Sequence, residues 1–218
     1  MRTLIIACII GIAVVSQGCG QNISGNQDDK TMRVENKFDS PTAAFEQTKR
    51  NLVQILNENQ RKTFGLGSDQ EIAALAKVTE IPVSYLQLDG LKDTAMTLND
   101  EGFLYTLGSG TASKIAVTVT RTQGGWMQNT VGMSGVVQAV NRFPASTRLV
   151  EVPGLEMSFL EQGDSSAKVY VPLRDYPEAG ISQRGQYRAP ELMRLLEAYR
   201  ARLEKQFGAD FANGSLDK

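Results

Sequence analysis

Apolar and polar positions divide the chain into four stretches. Leu4 to Val15 is an unbroken apolar run. Gly20 to Lys37 is Asn, Gln, Gly, Ser and charge, with Ile23, Met32 and Val34 isolated; it buries too little to offset its ordering entropy and reads as a flexible tether. From Phe38 the spacing becomes helical. Asp39-Ser40-Pro41 pairs a capping side chain with a proline at the first helical position, and Phe45, Leu52, Val53 and Leu56 share one helix face that Asn57 and Asn59 close. Ser68 and Glu71 have capping-box spacing and open a second helix, with Ile72, Leu75 and Ala76 on one side, closing near Val78. Beyond Pro82 the period is two.

Strands are predicted at Val83–Leu88, Phe103–Leu107, Lys114–Arg121 and Trp126–Val131, the last two joined by a Gln123-Gly124-Gly125 turn. Val136, Val137 and Val140 mark a short helix within Gly132–Phe143. Arg148–Val152, Glu156–Leu160 and Lys168–Leu173 are three further strands. A polar loop follows from Arg174 to Arg188. Pro190 opens a last helix with a stripe of Leu192, Leu195, Leu196, Tyr199 and Leu203, which Gly208 stops. Strand–helix alternation does not repeat, which argues against a doubly wound parallel sheet. The expected class is α+β: a curved antiparallel sheet of about seven strands with helices packed on one face. The expected organisation is a leader at 1–18, a tether at 19–37, one domain at 38–208 and a frayed tail at 209–218.

Composition narrows the chemistry. Among 218 residues, 23 are Lys or Arg and 24 are Asp or Glu, a formal charge of −1 that gives no footprint for nucleic acid. The chain has no histidine, so Ser-His-Asp and Cys-His mechanisms and His-based zinc sites are ruled out. Its two cysteines are Cys8, inside the apolar run, and Cys19. Loss of the leader would remove Cys8 and leave no partner for a disulfide. No cofactor or metal is expected.

Arg2, the run of about twelve residues from Leu4 and the Gly18-Cys19 junction resemble the lipobox-type signal peptide of bacterial lipoproteins. The run is too short for a membrane span, which needs roughly 20 apolar residues. Ser16 and Gln17 depart from the aliphatic pattern usual before such a cysteine. The resemblance implies cleavage before Cys19, acylation there with palmitate-type chains, and a membrane contact made only through the N-terminal lipid. The implied location is the bacterial cell envelope, at the outer membrane facing the periplasm or at the cell surface. The stretch from Pro82 to Leu173 also resembles a family of bacterial secreted proteins of unknown function. It shares a proline-led strand (Pro82-Val83-Ser84-Tyr85), a Gly-Gly-Trp turn and a closing Pro172-Leu173. That resemblance implies a curved sheet and no activity.

Candidate chemistry is sparse. Asp89, Asp93, Asp100 and Glu101 read as solvated turn residues. Ser113-Lys114 and the Ser166/Lys168 pair are the nearest approaches to Ser/Lys catalysis, and they lack the buried setting that would deprotonate a lysine. Gly65-Leu66-Gly67-Ser68 reads as a loop with a helix cap. Trp126 is expected to pair near Thr122 or Arg121 and to anchor a sheet face under a helix. A binding surface is sought first in the long loop, at Arg174, Asp175, Tyr176 and Tyr187, because large aromatics and Arg anchor interfaces. The expected function is a non-enzymatic binding or assembly module that meets an envelope protein partner. The alternative is an envelope hydrolase using carboxylate or Ser/Lys chemistry.

Overall fold

The computed structural model describes residues 37–87, 96–164 and 167–208. Cys19, the leader, most of the tether, Asp89, Asp93, Ser166 and the 209–218 tail lie outside the described residues. The elements run α1 (Pro41–Ile55), α2 (Glu58–Thr63), α3 (Asp69–Ala73), β1 (Ala76–Tyr85), β2 (Asn99–Ser109), β3 (Ala112–Thr122), β4 (Gly125–Gly132), α4 (Ser134–Arg142), β5 (Ser146–Val152), β6 (Met157–Gln162), β7 (Val169–Pro172) and α5 (Ala189–Phe207). The class is α+β. The seven strands form one sheet in the order β4-β3-β2-β1-β5-β6-β7.

The sheet is mixed rather than wholly antiparallel. Strands β1 to β4 make an antiparallel meander, and β5 then pairs with the free edge of β1 in parallel, Val83 opposite Leu149. The chain returns from the β4 edge through α4, and that return produces the parallel pair. Helices also cover both faces instead of one. On the front, α1 and α3 bring Phe45, Leu52 and Ile72 onto Tyr105, Leu107, Ile115 and Val117. Farther along the same face, α5 brings Leu192, Met193 and Leu196 onto Val150, Phe159 and Tyr170. On the back, Val136, Val137 and Val140 of α4 meet Ile81, Val83, Leu104, Ala116, Leu149 and Leu160. Alternation along each strand makes this possible: Tyr105 faces front and Leu104 back, Val150 front and Leu149 back. Each large apolar side chain so buried contributes about 1.5–3 kcal/mol.

Local differences from the expected elements have identifiable causes. The first helix breaks at Leu56 because Asn57 caps a new helix: its side chain accepts from the Gln60 backbone, and the Gln60 side chain accepts from the Asn57 backbone. The next helix ends at Ala73, short of Val78, because the chain from Ala76 is taken up as β1 beside β2. Ser68 caps that helix through the Glu71 backbone amide, while the Glu71 side chain accepts from the Gly67 amide instead of closing a capping box on Ser68. The β2–β3 turn needs Gly108, since a Cβ there would lie 1.8 Å from the Ala112 carbonyl oxygen. Trp126 pairs with Arg121. Its ring is only half-buried, 5.7 Å from the Phe103 ring, and Phe38 joins the β4 edge there by a pair of backbone hydrogen bonds at 2.8 and 2.7 Å.

Candidate functional site: a charged cleft on the front face

The front of β5, β6 and β7 is apolar over most of its length and becomes charged at one end. Arg148 lies two residues before Val150, Glu161 two after Phe159, and Lys168 two before Tyr170, so all three interrupt the inward alternation of core positions. Glu161 is the hub. Its direct cross-strand partners are Arg148 on β5 and Tyr170 on β7. The Tyr170 hydroxyl donates to Glu161 Oε2 at 3.1 Å. Lys168 Nζ stands 3.1 Å from Oε1, Arg148 Nε 3.8 Å from it, and Thr147 Oγ1 donates to it at 3.2 Å. Glu161 is 2% exposed, a burial that an unpaired carboxylate does not survive. Burial and the Glu161 charge push the Tyr170 phenol well above its usual range.

Two register shifts assemble the site. The β5–β6 ladder slips between Ser146 and Arg148, so Thr147 and Arg148 both reach the same carboxylate. The β1–β2 ladder slips between Val83 and Ser84, leaving Glu101 as the extra residue and setting Asp100 opposite Ser84. Bulges of this kind re-aim side chains beside functional sites. Here the second one delivers Asp100 to Arg148: Nη1 of Arg148 donates both to Asp100 Oδ1 and to Ser84 Oγ, and Ser84 Oγ donates to Asp100. Arg148 thereby ties the β1–β2 half of the sheet to the β5–β7 half.

Above these groups opens a cleft of about 470 Å³. Asp100, Arg148, Glu161, Lys168 and Tyr170 form its polar side. Met96 and Leu98 on one flank, and Ala189, Pro190 and Met193 at the start of α5 on the other, form its apolar side. A cleft of that size with convergent polar groups on a rigid sheet is the ordinary form of a small-molecule site. Chemically, the arrangement offers charge pairing and hydrogen bonding. Ser84, which does not line the cleft, donates to the Asp100 carboxylate and accepts from the Arg148 guanidinium, a group that does not itself accept a proton. Among the described residues no three carboxylate or thiol groups are placed to hold a metal ion.

The loop residues singled out from the sequence serve largely to tie the loop down. Asp175 accepts from the Gln183 amide at 2.7 Å and from the Ser182 hydroxyl at 3.1 Å. Tyr176 is buried, its hydroxyl accepting from the Ser158 amide at 2.8 Å. Tyr187 is buried too: its hydroxyl accepts from the Ser182 amide, and its backbone pairs with Tyr170. Arg174 lies over the Tyr176 ring and donates to the Glu156 carbonyl. Arg174, Asp175 and Tyr176 border a separate hollow of about 210 Å³, which Tyr187 does not line. Asp100, expected as a solvated turn residue, is the second residue of β2 and is bound to Arg148. Lys168, considered with Ser166, pairs with Glu161. Ser113 is buried and donates to Thr106, while Lys114 reaches the Gly65 carbonyl.

No protein-family model matches the chain, and neither any curated protein nor any solved structure does. Among the described residues no helix is long and apolar enough to cross a membrane.

Proposed function

We propose that this chain is a lipid-anchored protein of the bacterial cell envelope that acts as a non-enzymatic binding module, with the charged cleft as its binding site. The observation that carries the binding half is the Glu161 hub, where four strands converge on a cleft that keeps an apolar wall beside its charges. A hub built only for stability gains little from remaining open. Replacing a buried ion pair by apolar side chains is often neutral or stabilising. The anchoring half rests on the Arg2 charge, the apolar run and the Gly18-Cys19 junction. A chain with several acyl groups at one cysteine exceeds the two-signal threshold for stable attachment.

Metabolic labelling with palmitate tests the anchor. Label on the wild type, lost in Cys19→Ser together with membrane retention, is the expected result; an unlabelled wild type overturns it. Native mass spectrometry of the full chain purified from envelopes tests the cleft. A co-purifying small molecule that Lys168→Ala loses is expected. A wild-type chain that carries nothing and an identical spectrum for Lys168→Ala count against the cleft as the site.

A further inference from the structure

The charges of the cleft say which class of molecule it takes, an inference that rests on the binding reading above. Beside the buried Glu161 carboxylate stand two cations, Arg148 and the more exposed Lys168, so these three groups carry a net single positive charge. Glu161 is already engaged by Lys168, Tyr170 and Thr147, and Arg148 Nε, buried, has no hydrogen-bond partner. The remaining positive charge is met by Asp100, whose side chain is 61% exposed against 23% for Arg148. The flank formed by α5 brings Ala189, Pro190 and Met193, with no charge, and the opposite flank brings Met96 and Leu98. A monoanion that takes the place of Asp100 on Arg148 leaves the half-buried interior neutral, while the displaced Asp100 carboxylate passes into water at little cost. A cation entering the same space has no carboxylate left to meet it, because Asp100 and Glu161 are already paired with Arg148 and Lys168, and it leaves the site with a net positive charge. The apolar flanks give a hydrocarbon chain a surface to cover.

We propose that the cleft binds a small monocarboxylate carrying an apolar chain, its carboxylate exchanging with Asp100 on the Arg148 guanidinium and its chain lying between Met96, Leu98 and Met193. Asp100 is then a built-in competitor that holds the arginine when the ligand is absent. This makes an unusual demand: removing a charged residue from the site must strengthen binding.

Methionine methyl NMR on the full chain reads the site directly, because Met96 and Met193 line the cleft while Met133 packs at the back of the sheet. Hexanoate is the probe, with hexylammonium, hexanol and acetate beside it. Hexanoate should shift Met96 and Met193 and leave Met133 unmoved, and acetate, lacking the chain, should need a much higher concentration. Asp100→Asn should bind hexanoate about tenfold more tightly, since a like charge beside the bound carboxylate is gone. Arg148→Lys, which keeps the charge and loses the fork, should weaken it. An Asp100→Asn variant that binds hexanoate no better than wild type overturns the exchange. Hexylammonium or hexanol moving the same methyls at equal concentration overturns the carboxylate while leaving the cleft a binding site. Met96 and Met193 that respond to hexanoate in neither protein overturn the ligand class, and the co-purification result then decides the binding reading separately.

Discussion

The Tyr170 hydroxyl donates to Glu161 Oε2 across the β6–β7 ladder, at 3.1 Å and between two buried residues. The tyrosine serves two environments at once, its ring in the α5 core and its hydroxyl in the charged cleft.

Tyr170→Phe keeps the ring and deletes that donor. A hydrogen bond to a charged group is worth about 1.5–3 kcal/mol, so the variant should lose about that much stability. For a domain of this size the melting temperature should fall by about 2–4 °C for each kcal/mol. Chemical denaturation checks it. An unchanged midpoint would mean that Lys168, Arg148 and Thr147 hold Glu161 without help from Tyr170.

Tyr105 gives a pH dependence at the opposite end of the front face. Burial and, after it, the Glu80 carboxylate push its phenol up to about 12, against the opposing pull of the Thr42 hydroxyl. The unfolded chain ionises this group near pH 10, while the folded chain keeps the proton. The folded state thus binds more protons above pH 10, and stability falls as pH rises from about 10 to 12. Below pH 10 the contribution is fully present. Tyr105→Phe should flatten the stability profile in that window, read by denaturant melts at a series of pH values. A slope identical to wild type would place the ionisation elsewhere.

Trp126 is half-buried beside Phe103, with the Phe38 backbone paired to its own. Truncation should cost less than the roughly 3–5 kcal/mol of a fully buried tryptophan. Trp126→Phe should retain part of the aromatic contact, worth about 0.5–1.5 kcal/mol. Iodide should quench the emission partially. Full protection from iodide and a loss at the top of the range for Trp126→Ala would make the ring a complete core residue.

Particular residues show how far the sequence could be read. The number of strands and the α5 stripe were legible because each depends on local spacing, but Ala76–Val78, read as the end of a helix, belong to β1. Val136, Val137 and Val140 likewise placed α4. The parallel pairing of β1 with β5 was not legible, since Val83 and Leu149 meet only through the path of α4 and no local spacing encodes it. The split at Leu56 was written in the sequence as Asn57 and Gln60, but an asparagine after a helix reads equally as a stop. The charged cleft draws on Ser84, Asp100, Arg148, Glu161 and Lys168, which no single window contains. Its one local trace was a charged residue at an inward strand position, as Glu161 stands after Phe159. The bulges that bring Thr147 and Asp100 into place leave no such trace.

Asp175 separates the loop from the cleft. Its carboxylate accepts from the Gln183 amide and the Ser182 hydroxyl, closing a turn that also seats the Tyr187 hydroxyl on the Ser182 amide. A carboxylate accepting a backbone amide makes a charge-assisted bond, stronger than its neutral counterpart. Asp175→Ala should therefore cost about 1–3 kcal/mol, because the amide loses its acceptor. The damage should stay in the loop, with faster amide exchange at Ser182 and Gln183. The cleft gains its shape from Met96 and Leu98, from β2, β5, β6 and β7 and from the start of α5, and Asp175 does not line it. Hexanoate shifts at Met96 and Met193 in Asp175→Ala should match wild type. If they vanish while the protein remains folded, the turn that Asp175 closes helps to hold the cleft in shape, and the loop and the cleft are not independent.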